Sequence, residues 1–477
     1  MYMQNRLRNL ILALCLGLGG WTVSGDRPNM ILIPADELMN WVGYLDEFPG
    51  YEGKVHTPRL NRLASRGVAF TKAYCNAPAC SPSRASFMSG LQPSTSGAYY
   101  GEKFRKIMPD VIALPQYFRE NGYATVGAGK VYHSFKAEDP KSWDDYLPSD
   151  PEPQLDPYPL TKVSDHGDHQ WAPLTHMAEE ELADYKSVSY GIEFLEQTHS
   201  KPFFLGIGFI KPHHPWVVPQ KYFDLYPLDE IKLPRVKEGD LHDLPPYGRF
   251  YADIRKQLSH YAIVEADQWE LAIQGYLASV SYMDAQLGRL LDALDASPYA
   301  DNTVIALFGD NGMHFGEKNH WTKWGLWEQA TNVPLIIVAP GVAKAGAISD
   351  SPVGLVDVYP TLVELAGLPS NPANDGESLV PILKDPKTMR SQPVLMTFGE
   401  ASHALRDARW RYIRYRDGTE ELYDHDSDPH EWMNVADKPE YEHVVKRLSK
   451  HLPMHNAPED DFGSKIYWPN DPSFPIQ

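Results

Sequence analysis

Short apolar runs alternate along the chain with stretches whose apolar residues recur every three or four positions. Residues 29–33, 123–127, 203–209, 303–308 and 335–338 are apolar runs of strand length, as expected of strands buried on both faces. Between them, 57–66, 114–121 and 183–198 carry helical spacing. The clearest helix spans 271–294, where Ile273, Tyr276, Leu277, Val280, Leu287, Leu291 and Leu294 share one face. This alternation predicts an α/β fold, a mostly parallel central sheet sandwiched by helices. After about residue 385 the pattern changes. Residues 394–398, 410–415 and 421–423 read as short antiparallel strands, with a turn at Asp417-Gly418. A larger unit over 26–385 is therefore followed by a smaller α+β subdomain over 386–477, which carries an antiparallel sheet. Residues 134–176 and 211–244 are polar and Pro-rich and read as long surface loops. No internal repeat is seen.

Residues 1–25 stand outside this pattern. Arg6 and Arg8 precede an apolar run over 10–18, followed by Gly19, Gly20, Ser24 and Gly25. That is the three-part form of a secretory signal peptide, and the run is too short to span a bilayer. Cys15 suits a lipoprotein less well, because bulky Leu14 precedes it and the apolar run continues past it. The expectation is a secreted or periplasmic protein with no membrane span. The chain has 477 residues, enough to bury a large core. Its net charge of -19 argues against nucleic-acid binding, so an anionic ligand needs a local basic pocket. Processing leaves two cysteines, Cys75 and Cys80. They fit a disulfide or buried thiols, and the residues around Cys80 offer a sharper reading.

Two acidic pairs occupy equivalent places. The first strand runs into Asp36-Glu37, and the strand at 303–308 runs into Asp310-Asn311. In open α/β sheets, ligands bind outside the carboxyl ends of the strands. Four oxygen-bearing side chains there suit calcium or magnesium. Taken alone, either pair reads more readily as a helix cap or a turn, and only both together, with the next motif between them, point to a cation site. Between them lies Cys80-Ser81-Pro82-Ser83-Arg84. Pro82 suits the first turn of a helix, which would put Cys80 at its positive end beside Arg84, a place that favours anions and a reactive thiol.

This Cys-x-Pro-x-Arg signature, with the Ala-Ser-x-x-x-Gly pattern after it, resembles the maturation motif of type I sulfatases. Residues 29–43, 129–133, 203–216, 278–294, 309–338, 411–415 and 421–424 resemble the iduronate-2-sulfatase branch, within the alkaline phosphatase superfamily. The resemblance implies that a sulfatase-maturing enzyme oxidises Cys80 to formylglycine, whose hydrate attacks sulfur. It implies one calcium ion held by Asp36, Glu37, Asp310, Asn311 and residue 80. Glu37 stands where the family usually has Asp, which makes it the weakest of these ligands. Arg84 would hold the hydrate or balance the carboxylates. Lys130 and Lys323 would contact sulfate oxygens, His133 would assist breakdown of the covalent sulfate, and His213, rather than His214, would protonate the leaving sugar.

The expected substrate is a sulfated oligo- or polysaccharide fragment, with a 2-O-sulfated uronate foremost. Alternatives are a phosphodiesterase or phosphonate monoester hydrolase of the same superfamily, or a sugar-binding protein without catalysis. His403 and Arg406 are candidates for a substrate carboxylate or a second sulfate. Trp321, Trp324 and Trp327 offer either a stacking platform or core, with at least one expected in the core. Asp165, His166, Asp168 and His169 read as solvated loop rather than as a second metal site.

Overall fold

The computed structural model describes residues 27–45, 52–101, 103–133, 139–150, 170–175, 177–253 and 260–459. The signal-peptide reading of 1–25 and the 165–169 cluster lie outside them. The strands, in chain order, are β1 (Asn29–Ala35), β2 (Val68–Tyr74), β3 (Ala124–Gly129), β4 (Asp145–Leu147), β5 (Trp171–Leu174), β6 (Phe203–Gly208) and β7 (Trp216–Pro219). They continue as β8 (Thr303–Gly309), β9 (His314–Phe315), β10 (Trp321–Thr322), β11 (Asn332–Val338), β12 (Ala347–Ser349) and β13 (Val353–Gly354). Among the described residues, nine strands form one sheet in the order β12-β2-β11-β8-β1-β6-β3-β4, with β13 also beside β2.

The centre of this sheet is parallel. Ile31 of β1 pairs with Leu205 of β6 on one side and with Ile305 of β8 on the other. β11 runs antiparallel to both β8 and β2. The sheet is thus mostly parallel, as the pattern of apolar runs predicts. Successive residues of β1 feed opposite cores, because side chains alternate along a strand. Ile31 and Ile33 pack with Ile273, Leu277 and Val280 of the helix Trp269–Ala296. Met30 and Leu32 pack with Phe87 and Met88 of the helix Cys80–Ser89 and with Leu362. Each of these large apolar side chains contributes about 1.5–3 kcal/mol by leaving water.

Three differences from the sequence reading stand out. β2 is absent from that reading. Thr71 and Lys72 break its apolar run, and the strand is held by long-range pairing with β11. β4 and β5 cross the 134–176 stretch and β7 crosses 211–244, so those stretches are not loop throughout. The C-terminal sheet holds β14 (Val394–Thr397), β15 (His403–Arg406), β16 (Trp410–Arg414) and β17 (Glu420–Asp424), each antiparallel to the next. β15 is the strand that the sequence reading lacked. Among the described residues, no helix is long and apolar enough to cross a membrane.

Candidate active site

The site forms where the central strands end. The register sets Ala35 of β1 opposite Gly309 of β8, so Asp36 and Asp310 leave the sheet side by side. The Asp310 N–H donates to the Ala35 carbonyl at 3.0 Å. Glu37 takes a left-handed backbone, with φ of 61°, and its N–H donates to Asp310 Oδ1 at 2.9 Å. Left-handed geometry is costly for a residue with a side chain and tends to mark functional positions. At the end of β3, Gly129 has φ of 76°, and a Cβ there would lie 2.1 Å from the Gly208 carbonyl oxygen. Glycine permits this close turn, which carries Lys130 over the strand ends.

Cys80 opens the helix Cys80–Ser89, as the motif predicts, and is only 2% exposed. The same helix ties itself to β8. Ser83 Oγ donates to the Asp310 carbonyl at 2.5 Å, and Arg84 Nε donates to Asp310 Oδ2 at 2.7 Å. Arg84 also donates to the carbonyls of Lys130 and Val131, and its Nη2 lies 3.9 Å from Asp36 Oδ1. Lys130 Nζ pairs with Asp36 Oδ2.

Lys323 arrives from the segment between β8 and β11. Its neighbours Thr322 and Trp324 are both left-handed, at φ of 72° and 85°, so strained backbone brackets it. Its Nζ donates to Cys80 Sγ at 2.8 Å, pairs with Glu37 Oε1 and lies 3.4 Å from His213 Nε2. His213 Nε2 is also 3.5 Å from Glu37 Oε1. Its Nδ1 lies 2.5 Å from the His214 carbonyl, which fixes the proton on Nδ1 and turns Nε2 toward the cluster. His214 Nδ1 lies 3.4 Å from Glu37 Oε2.

The charges are interlocked. Burial opposes ionisation of Asp36 and Glu37, yet the cations and imidazoles around them hold both carboxyls well below their usual range. Lys130 leads for Asp36, His213 and Lys323 for Glu37. Asp310 goes the other way. Burial and the neighbouring Asp36 charge push it up to about 7, against the pull of Arg84. Burial lowers His213 well below the usual imidazole value.

Burial and the Asp36 charge push the Cys80 thiol well up, against the pull of Lys323 and Lys130. Cys75 and Cys80 are free, so the disulfide alternative falls away. Cys75 is a buried thiol near the Ala330 carbonyl.

The structure brings Asp36, Glu37, Cys80, Arg84, Lys130, His213, Asp310 and Lys323 into one network. Asp36, Glu37, Cys80 and His213 each offer a ligand atom, all within 4.8 Å of one another. Asp310 borders that set, with Oδ1 on the Glu37 N–H and Oδ2 on Arg84 Nε. Asn311 is fully buried, and its amide nitrogen donates to the Gly312 carbonyl at 2.9 Å. That leaves Asn311 Oδ1 buried with no hydrogen-bond partner among the described residues. A carboxylate-rich cradle with an unpartnered amide oxygen fits a hard cation. His133 follows Lys130 and is exposed at the rim.

Other candidates sit elsewhere. His403 is buried in β15, with Nδ1 3.0 Å from Thr397 Oγ1. Arg406 is buried on the same strand and is held by Glu328 at 3.2 Å. No hydrogen bond or ion pair joins either to the Cys80 cluster among the described residues. They are taken up within the C-terminal subdomain and its seam with the main sheet. Trp321, Trp324 and Trp327 share no helix, since Trp321 lies in β10, and all three are buried. They belong to the core, and the stacking alternative falls away.

The sequence reading set His214 aside, yet its ring meets Glu37. Nothing in two adjacent histidines tells which one faces a site. It missed Ser83 as a tie to Asp310, although the residue lies inside the quoted motif. It also missed Lys211, a buried lysine whose Nζ donates to the Pro215 carbonyl at 2.6 Å and closes the loop that presents His213.

Comparison with known proteins finds matches along most of the chain. The family model described as Sulfatase matches residues 28–368, and that described as N-sulphoglucosamine sulphohydrolase, C-terminal, matches 316–457. A sulfatase of Formosa agariphila is 36% identical over 93% of this chain and 90% of its own length. Human iduronate 2-sulfatase is 33% identical over 75% of this chain and 72% of its own. A solved structure in complex with its substrate D-glucosamine-2-N,6-O-disulfate shares the fold. It has a TM-score of 0.69 and 23% identity over 94% of this chain and 99% of that one.

Proposed function

The chain belongs to the sulfatase family, of the alkaline phosphatase superfamily, and so hydrolyses sulfate esters; from that premise we propose that it acts on sulfated carbohydrate. The ester it cleaves, on this reading, is the 2-O-sulfate of a uronic acid or related sugar in a polysaccharide fragment. The likeness to human iduronate 2-sulfatase supports that choice. The observation that carries the reading is Lys323 Nζ, which touches the side chains of residue 80 and Glu37 and approaches His213.

Formylglycine, formed from Cys80 by a sulfatase-maturing enzyme, supplies the nucleophilic oxygen once hydrated. Asp36, Glu37, Asp310 and Asn311 would hold one calcium ion, which supplies charge neutralisation and orientation. Arg84 braces Asp310 and Asp36 and so fixes the floor of the site. Lys130 and Lys323 stand where sulfate oxygens enter, and their positive charges offset the charge that develops on them. His213 Nε2 is an acceptor at rest. An entering sulfate raises its affinity for a proton, and that proton goes to the leaving sugar oxygen. His133, at the rim, takes the proton released when the covalent sulfate breaks down.

Residues 26–385 form the catalytic unit on this reading, with 386–477 as the C-terminal subdomain. The leader pattern of 1–25 supports export. The test is sulfate release from 2-O-sulfated uronate oligosaccharides by protein co-expressed with a maturing enzyme, with the mass of the residue-80 peptide read in parallel. Formylglycine at 80 with no release from any 2-O-sulfated uronate refutes the substrate. A phosphonate monoester serves as the control for the superfamily alternative.

A further inference from the structure

The strained turn around Lys323 persists only where its surroundings over-determine it. Each of its three residues is held from a different direction. The Thr322 carbonyl lies 3.4 Å from His314 Nδ1. The Lys323 carbonyl lies 2.8 Å from His320 Nε2. The Trp324 N–H donates at 3.0 Å to the carbonyl of Pro78, two residues before Cys80. The middle hold acts on the lysine itself, and the residue that makes it is anchored in turn. His320 Nδ1 lies 3.0 Å from the carbonyl of Ala252, the last residue of the helix Pro246–Ala252. The His320 N–H donates to the Glu317 carbonyl, and the His320 carbonyl accepts from the Gly316 N–H, both at 3.0 Å. The residue is 2% exposed.

Both partners of this ring are backbone carbonyls, which only accept. A neutral imidazole has one N–H and would point a lone pair at the other oxygen. An imidazolium has two and satisfies both. The charged groups around it leave room for that proton. The His314 ring faces it from β9, 5.1 Å away between centres. Burial, and then His320, lower the His314 imidazole well below its usual value, so His314 is the neutral member of the two. The neighbouring cations are already paired, Lys318 with Asp240 at 3.0 Å and Arg411 with Glu328 and Glu431. Glu317, three residues before His320, accepts from the Phe315 N–H at 2.8 Å and makes no ion pair among the described residues. The helix Pro246–Ala252 meets the ring through its terminal carbonyl.

We propose that His320 is a positioning residue for sulfate ester hydrolysis, a doubly protonated ring that ties the Lys323 peptide to the helix Pro246–Ala252 and so aims the Lys323 ammonium at residue 80. The proposal rests on the role given to Lys323 above. A group misplaced by about 1 Å costs about 100-fold in rate, so a hold on the peptide that carries the ammonium is felt in turnover.

The test reads the ring and the reaction separately. Two-bond proton–nitrogen NMR of the histidine-labelled full chain, expressed without a maturing enzyme, is expected to show His320 protonated at both ring nitrogens at neutral pH. Its signals are assigned by their absence from His320→Gln. A ring protonated at one nitrogen overturns the proposal. Turnover is read on matured protein with p-nitrophenyl sulfate and a 2-O-sulfated uronate disaccharide, in a cycle with Lys323→Ala. His320→Gln is expected to lower kcat/KM about 10–100-fold in the parent. The same change is expected to cost less than about twofold once Lys323 is Ala, because its effect passes through the lysine. An equal loss in both backgrounds marks a general structural role and overturns the proposal. Lys323→Ala with the turnover of the parent overturns it too, through the role on which it rests. His320→Asn serves both arms where His320→Gln fails to fold. Matured parent that releases sulfate from neither probe counts against the function, and the NMR arm still decides the protonated clamp.

Discussion

Lys323 meets residue 80, Glu37 and His213 through one ammonium group. Removing it takes away the cation nearest the reacting position. Lys323→Ala is expected to lower kcat about 10²–10³-fold, the scale of one lost charge-stabilising donor, measured as sulfate release from matured protein. Turnover within twofold of the parent would sink its assignment. Asn311→Ala tests the cradle apart from turnover. Calcium affinity read by calorimetry is expected to fall about 10–100-fold, because an oxygen ligand is lost. At this scale the sequence was most legible where a motif compresses several contacts into a few residues. Cys80, Ser83 and Arg84 all reach their targets from one short helix. His403 and Arg406 read as candidate anion contacts because their residue types suit anions, and such residues serve equally well inside a strand. Only the pairing of β15 with β14 and β16 shows that they are enclosed.

The helix Pro58–Ala64 depends on a side chain far along the chain. Asp284, from the helix Trp269–Ala296, accepts from the Arg59 and Leu60 N–H groups and so caps it. Burial pushes the Asp284 carboxyl up to about 6 from an ordinary 3.8. Between those values the folded chain holds a proton that the unfolded chain has lost. Stability from this group is therefore full below about pH 4 and declines as pH rises through about 6. About 3 kcal/mol is involved. Asp284→Asn abolishes this dependence, so its melting temperature relative to the parent is expected to rise between pH 4 and pH 6.5. A difference that stays level across that range rules the account out. Elements with strong internal periodicity, such as this long helix and the buried parallel strands, were readable from local pattern. β2 was not, since its Thr71-Lys72 step looks like a loop. Its strand state comes from β11, more than 250 residues away.

At the level of the whole molecule, the two sheets are held together by a buried charge network. Arg411 of β16 pairs with Glu431 at 2.6 Å and with Glu328, which lies just before β11. Arg406 adds a second hold on Glu328. Arg411→Leu leaves Glu431 with His425 and Glu328 with Arg406 but removes the cation the two carboxylates share, and a loss of about 3–5 kcal/mol is expected in denaturant unfolding. A loss under about 1 kcal/mol would show that water reaches the seam. The burial of Cys80 has a different reach, into the timing of biosynthesis. A thiol that is 2% exposed and wound into the first turn of a helix is closed to any other protein while that helix stays folded. Maturation, as proposed, then has to occur before that helix closes over residue 80. A molecule that completes its fold first keeps its cysteine, and a cell's yield of working enzyme becomes a race between two clocks.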